Sequence, residues 1–344
     1  MLGLFRYLLA LLVTLSHLWS GFAGWSGVMA VFCFYLISGY LMTSVLHESY
    51  GFTARGGQRY ALNRFLRIFP TYWAVLLLSF LIVSWIPKAA FMTNFKLSMP
   101  LAASDWLPNL FIVGLLDGPY KVLVPPAWSL DVELVFYLLM ALGLSRTQLT
   151  VTVWFAGSVA YTALLLITDA EFVDRYASYA ASSLPFSLGA MTYIYRGALR
   201  RWLCLPVPLA ALAFLAALLA ERMGWFGGLL ETGFYVVLFC GLLLLVSLNN
   251  LDTEKVPARW QRFDSLLGNL AYPIFLCHWQ VAAVVLHVVY AGQRPDYGLW
   301  LPSILFINLL GLLVYWLVDR NINRLRDRVR GKDKLDLASL RQSG

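Results

Sequence analysis

The residues able to do chemistry in this chain are few, because most of its ionisable side chains lie outside long apolar stretches. Inside or at the edge of those stretches stand His17, Glu133 with Asp131 beside it, His278 and His287, and the arginines Arg6, Arg64 and Arg67. An ionisable group in apolar surroundings costs free energy unless it meets a partner, so each marks a candidate site. Arg6 and His17 are eleven residues apart. On a helix eleven steps make about 1100°, roughly 20° past three turns, so the two side chains share a face about 16 Å apart along the axis. That face reads as the wall of a cavity running inward from one membrane surface. The plainer alternative is an Arg6 anchored among headgroups and a His17 bonded to a neighbouring helix.

Glu133 lies in the segment Trp128-Ser129-Leu130-Asp131-Val132-Glu133-Leu134-Val135-Phe136-Tyr137. Asp131 and Glu133 are about 200° apart on a helix, so they cannot share a face. Glu133 is the deeper, and a carboxylate there needs a partner. His17 is the expected one, since a Glu–His pair orients the imidazole and raises its basicity, as a general base requires. A buried structural hydrogen bond is the alternative. Arg64 and Arg67 are three residues apart and share a helix face. Two guanidiniums there suit a phosphorylated ligand through bidentate charge-assisted bonds, or they anchor the helix on acidic lipid. His278 and His287 are nine residues apart, about 180° on a helix, so only one can face a shared pocket. His278 is the expected one; His287 and His47 sit near interfaces.

These side chains need helices to hold them, and the composition says where the helices lie. Of the 344 residues 60% are hydrophobic and 13% charged, against about 45–50% and about 25% in soluble domains. Lipid must take the place of water around much of the surface. The net charge of +8 would point to nucleic acid in a soluble protein. Here the basic residues fall between apolar runs and in the tail, which membrane topology explains without nucleic acid. The four cysteines, Cys33, Cys204, Cys240 and Cys277, have neither disulfide nor zinc spacing, and no metal site is expected. An N-terminal apolar run after Arg6 resembles a signal peptide, but His17 within it and a second span close behind favour a retained helix.

The expected fold is all-α, a polytopic membrane bundle of about ten transmembrane helices with both termini cytoplasmic. The spans read as 5–22, 27–46, 70–86, 127–143, 149–167, 178–195, 203–220, 229–248, 266–289 and 299–318, since apolar runs of this length must satisfy their backbone internally. Of the 26 Lys and Arg, six (Lys88, Lys96, Lys121, Arg175, Arg222 and Arg294) fall outside with the N-terminus inside, leaving 20 on the cytoplasmic side. Tyr72, Trp73, Trp85, Trp225 and Trp300 mark the interfaces. The connection 87–126 is too long for an ordinary loop. It carries Pro87, Pro100, Pro108, Pro119, Pro125 and Pro126 around a short apolar stretch, Trp106 to Leu116. It reads as a re-entrant or interfacial segment, a lid or wall over an outward-facing site, or else a loop packed on helix ends. The membrane domain is expected over 1–320 and a cytoplasmic basic tail over 321–344.

Together these motifs resemble the acyltransferase 3 family, membrane O-acyltransferases of polysaccharides and lipopolysaccharide. Arg6 and His17 match its Arg-x10-His signature. Phe34-Tyr35-Leu36-Ile37-Ser38-Gly39-Tyr40 looks like its aromatic-aromatic-x-x-Ser-Gly motif, and Arg64-x-x-Arg67 with Pro70 its basic motif. Trp128-Ser129-Leu130 with Glu133 and Phe136-Tyr137 resembles its Trp-Ser-Leu block, and Tyr272 through His278 its Tyr-x-x-x-Leu-x-His block. Five motifs in order, over about residues 1–320, carry the resemblance.

The resemblance implies a multi-pass protein of a bacterial-type inner membrane. Acyl-CoA, acetyl-CoA foremost, would be co-substrate, with no bound cofactor. Its phosphates would lie on Arg6, Arg64 and Arg67. His17 would act as base, oriented by Glu133, and the acceptor would be a hydroxyl of a carbohydrate or lipid-linked saccharide. Ser38, Tyr40, Trp128, Ser129 and His278 are candidates to steady the acceptor or the oxyanion. Direct transfer and an acyl-His intermediate both fit. The competing reading is a transporter or flippase of a lipid-linked saccharide, which should show paired helix interruptions or inverted repeats. A metal-dependent glycosyltransferase fits less well, because Asp131-x-Glu133 lies in a membrane helix.

Overall fold

The computed structural model describes residues 1–19, 21, 24, 26–116, 118, 121–226, 230–295 and 298–330. Each of the ten expected spans has a helical counterpart. In chain order these are α1 (Gly3–Leu18), α2 (Ser26–Val45) and α3 (Ala54–Trp85), then two short helices, α4 (Pro87–Thr93) and α5 (Ala103–Phe111). There follow α6 (Trp128–Leu139), α7 (Gln148–Ile167), the short α8 (Phe172–Tyr176) and α9 (Tyr179–Ile194). The last group is α10 (Arg196–Leu203), α11 (Val207–Arg222), α12 (Leu230–Asn249), α13 (Ala258–Val288), α14 (Trp300–Val314) and α15 (Arg320–Arg330). Among the described residues seven helical stretches are long and apolar enough to cross a membrane, and α10 with α11, bent by 80°, would make an eighth. No strand occurs among the described residues, only an isolated bridge between Leu97 and Val122. The chain is a helical multi-pass membrane protein. Residues 22 and 229, Pro119 and the tail from 331 to 344 lie outside the described residues.

The helices sort by how much of each is covered. The apolar window of α13 is 83% buried, against 17% for α7 and for the α14–α15 stretch. The outer helices turn leucine and isoleucine outward, as at Leu149, Ile167 and Leu305, where lipid is as good a neighbour as another helix. The central α13 packs against α1, α14 and α3. Small residues set the closest approaches. A Cβ on Gly268 of α13 would come within 2.8 Å of the Gly3 Cα of α1, and one on Gly39 of α2 within 2.2 Å of the Phe186 carbonyl oxygen of α9.

Two helix starts differ from expectation. The third and ninth spans were expected from 70 and 266, yet α3 begins at Ala54 and α13 at Ala258. Both helices run through a proline, Pro70 and Pro273. Proline removes one backbone donor, and the tertiary contacts of a bundle tolerate that loss. Around residue 320 the chain stays helical: α14 passes through a π-helical turn (Tyr315–Asp319) into α15. Polar sequence after Val318 disguised a helix that continues because α3 receives it.

The connection 87–126 is fastened to the bundle. Asp131 Oδ2 accepts hydrogen bonds from Leu115 N (2.7 Å), Leu116 N (3.2 Å) and the Tyr179 hydroxyl (2.8 Å). Asn109 Oδ1 accepts from Leu123 N at 2.9 Å, and Gln280 Nε2 of α13 donates to the Leu123 carbonyl at 3.2 Å. α5 leaves Leu107 and Phe111 exposed, which suits the membrane interface. Asp131 therefore holds this segment in place.

Candidate active site

Two polar centres stand at different depths along α1. The first begins at the start of that helix. Asp264 of α13 accepts from Gly3 N (3.1 Å) and Leu4 N (2.9 Å), satisfying two of the amides that a helix start leaves open. From this anchor the two helices run parallel in register. Gly3 to His17 and Asp264 to His278 are both intervals of fourteen residues, so the same rise brings the two imidazoles level. His17 Nδ1 lies 2.9 Å from His278 Nε2, with ring centroids 5.1 Å apart and planes 17° from parallel. Trp279 stacks on His17 at 5.0 Å. The far end of α1 is held by Trp300, whose indole donates to Thr14 Oγ1 at 3.0 Å, and by Leu299 N, which donates to the Leu18 carbonyl at 2.8 Å.

The pair has a direction. His278 Nδ1 faces the Phe275 carbonyl oxygen at 2.8 Å, and a carbonyl can only accept, so this nitrogen carries the proton. In the neutral ring Nε2 then accepts, His17 Nδ1 donates to it, and His17 Nε2 is left with its lone pair. His278 is completely buried while His17 is half-buried. The arrangement fixes one basic nitrogen on the more accessible of the two rings.

The expected pairing of His17 with Glu133 is corrected here: among the described residues no hydrogen bond joins them. Glu133 Oε1 accepts from Ser38 Oγ at 2.9 Å, and Oε2 from the Tyr137 hydroxyl at 2.9 Å. Tyr137 is one helical turn beyond Glu133 on α6, and Ser38 comes from α2. The partner that was to orient His17 is His278, which reaches it because α13, not α6, packs along α1.

Glu133 belongs to the second centre, a cavity of about 310 Å³ that also receives Arg6, Arg64, Arg67 and Arg326. Four arginines and one carboxylate thus line it. No ion pair joins any of the four to a carboxylate among the described residues. Arg64 Nη2 donates to Asn63 Oδ1 at 2.7 Å and Nη1 contacts Met42 Sδ at 3.3 Å, while Arg67 lies over the Tyr272 ring at 5.5 Å. Phe34 and Phe275 also line the cavity, edge to face at 6.1 Å, and Phe275 packs 6.4 Å from His278. Phe275 thus lines the arginine cavity and also packs against His278; His17 and His278 themselves do not line it.

The family model described as an acyltransferase domain matches residues 2–320. This chain belongs to the acyltransferase 3 family. No curated protein matches it, and no solved structure does. Family membership makes the protein an acyltransferase, and the transporter reading falls away.

The remaining sequence candidates of this acyltransferase divide by place. Ser38 and Ser129 line the arginine cavity, with Ser129 Oγ donating to the Pro126 carbonyl at 2.9 Å. Trp128 instead packs edge-on against Tyr176 at 5.3 Å. Tyr40, two residues from Ser38, points to the other side of α2, where it lines a separate cavity with Arg196 and Arg200. Its ring meets Tyr193 at 5.9 Å. Sequence reasoning missed Asn63, Asn269 and Arg326, all in or against the arginine cavity, and Trp279 on His17. Arg326 was hidden among the many arginines of 320–330, and Asn63 stood unremarked beside Arg64.

Proposed function

We propose that this acyltransferase moves an acyl group, acetyl foremost, from cytoplasmic acyl-CoA to a hydroxyl of a cell-surface or other extracytoplasmic carbohydrate, across a bacterial-type inner membrane. The observation that carries the reading is the layout along α1: an arginine-lined cavity at Arg6, and eleven residues further on an imidazole with one bare nitrogen. A donor with phosphates at one end and a thioester at the end of a long flexible arm has the matching shape. The 20-to-6 distribution of basic residues supports a cytoplasmic mouth for the cavity.

In this reading the phosphates bind Arg6, Arg64 and Arg67 through charge-assisted hydrogen bonds. The arm passes the Phe34–Phe275 pair, and the thioester carbonyl comes to rest near His17. His17 Nε2 takes the proton of the acceptor hydroxyl as its oxygen attacks the carbonyl carbon. The C–S bond breaks, and the departing thiolate of CoA takes that proton from His17. His278 holds the ring and accepts the Nδ1 hydrogen bond throughout. General-base help of this kind contributes about 10²–10⁴-fold, and alignment of donor and acceptor in one passage supplies much of the rest. An acyl group carried briefly on His17 would use the same nitrogen.

The test is mass spectrometry of the surface polysaccharide from a deletion strain and from strains complemented with the wild-type or His17→Ala chain. Acyl esters should vanish on deletion, return with the wild type and stay absent with His17→Ala. Full acylation with His17→Ala would end the proposed role of the imidazole. Isothermal titration of the purified protein with acetyl-CoA tests the donor, and absence of binding would refute it.

A further inference from the structure

Arg326 lies beyond the segment matched by the acyltransferase family, which ends at 320, yet it lines the same cavity as Arg6, Arg64 and Arg67. Its place is built by α3. The Arg59 guanidinium donates from Nε and Nη2 to the Val329 carbonyl at 3.1 and 2.8 Å, and Asn63 Nδ2 donates to the Arg326 carbonyl at 3.1 Å. These carbonyls lie among the last described residues of α15. Thr71 Oγ1 donates to Asp319 Oδ1 at the start of the same helix. α15 is thereby seated on α3 at its start and again at Arg326 and Val329.

The side chains at this seat lack something. Asn63, 2% exposed, turns its one amide oxygen to Arg64 Nη2 at 2.7 Å and to Arg326 Nη2 at 3.5 Å. Arg326 Nη1 donates to Asn323 Oδ1 at 2.6 Å. Among the described residues every hydrogen-bond acceptor of these two guanidiniums is neutral. The Nε of Arg64 and the Nε of Arg326 are both buried without a partner. Two like charges sharing one neutral acceptor, with two more arginines in the same cavity, repel in a medium of low dielectric. Buried donors without acceptors add an uncompensated desolvation cost. One phosphoryl group could bridge both guanidiniums through different oxygens. Two linked phosphoryl groups would bring an acceptor to the open Nε of each and offset the repulsion across Asn63.

We infer that Asn63, Arg64 and Arg326 form a subsite for a diphosphate group, with Arg326 supplied by α15 as the member the family motifs do not contain. The inference deepens the donor reading and rests on it: the diphosphate is that of acyl-CoA. Asn63 is a positioning residue that sets the spacing of the two guanidiniums.

The test uses the full-length protein in nanodiscs of zwitterionic lipid and isothermal titration with CoA, inorganic pyrophosphate, geranyl diphosphate and 4′-phosphopantetheine, the last with one phosphate. CoA and pyrophosphate should bind, and phosphopantetheine at least 10-fold more weakly than CoA. Arg326→Gln should weaken CoA and pyrophosphate at least 10-fold and leave phosphopantetheine unchanged, while Arg326→Lys should restore part of the loss. Should Arg326→Gln fail to fold, Asn323→Ala removes the 2.6 Å acceptor of Arg326 and should lower CoA affinity in the same direction. Wild-type affinity for CoA in folded Arg326→Gln overturns the subsite and leaves the donor reading standing. Binding of pyrophosphate without CoA overturns the donor reading instead. Tighter binding of geranyl diphosphate than of CoA assigns the subsite to a lipid-linked diphosphate and likewise overturns acyl-CoA.

Discussion

His17 of α1 and His278 of α13 form one hydrogen-bonded unit, 2.9 Å between ring nitrogens, that ends on the Phe275 carbonyl. The unit gives His17 Nε2 a lone pair and gives His278 a job distinct from contact with substrate. Replacing His17 with Ala should lower the acyl-transfer rate by about 10²–10⁴-fold with donor affinity unchanged. His278→Ala should lower kcat by less, leave the donor KM in place and alter the pH profile of kcat, because the tautomer of His17 is no longer fixed. Steady-state kinetics across pH on both variants checks this. An unaltered pH profile in His278→Ala would show that the second ring only fills space.

Glu133 takes its hydrogen bonds from Ser38 and Tyr137 inside the arginine cavity. Its effect should therefore fall on donor binding. Glu133→Gln removes the carboxylate that lines the cavity with Arg6, Arg64, Arg67 and Arg326 and is expected to shift the donor Kd while leaving the pH dependence of kcat, set at His17, unchanged. Titration with acetyl-CoA together with a pH–rate series separates the two. A collapse of kcat with unchanged Kd would restore the carboxylate as partner of the base.

Arg64→Ala combined with Arg67→Ala should cost about 1.5–3 kcal/mol for each charge-assisted bond lost. That is roughly a 10- to 100-fold weaker donor per residue at low salt, and the loss should shrink as salt rises. Affinity for acetyl-CoA measured at two ionic strengths is the check.

Gly268 touches Gly3 so closely that a Cβ there would sit 2.8 Å from the Gly3 Cα. Gly268→Leu should force α1 and α13 apart and separate His17 from His278, ten residues further along α13. Activity is expected to fall at least 10-fold while the protein still inserts, and Gly57→Leu, where nothing lies within 4 Å of the added Cβ, serves as control. Equal activity in the two variants would count against the register that sets the histidine pair.

Asp131 ties Leu115, Leu116 and Tyr179 together. Asp131→Ala should destabilise the connection 87–126 by about 3 kcal/mol, since an acceptor lost from a buried network costs about 1–3 kcal/mol per donor. Faster limited proteolysis within 112–121 and a lower Tm would register the change. Transfer activity should fall less than in His17→Ala.

The helices were legible because membrane helices are local objects. An apolar run must close its own hydrogen bonds, so ten spans could be read one after another. The places that went wrong were those where local polarity misled. The starts of α3 and α13 and the whole of α15 are polar helix, held by partners distant in the chain. The Arg64–Arg67 spacing was legible for the same local reason, and the structure puts both in one cavity with Arg6; the cavity wall expected to run from Arg6 to His17 is not formed, because His17 meets His278 and does not line that cavity. Tyr40 and Trp128 shared motifs with Ser38 and Ser129, but neighbours in a motif point to different sides of a helix.

By itself, then, the sequence determined the membrane helices, the basic distribution along the chain and the short list of side chains able to act. It could not determine who meets whom. His17 and His278 are separated by 261 residues, Ser38 and Glu133 by 95, and Asn63 and Arg326 by 263. Those pairings follow from which helices lie side by side and in what register. Glycine contacts, helix caps and buried polar bonds decide that together across the whole bundle. A polar group in an apolar run announces that it needs a partner, and only the packed tertiary structure supplies one.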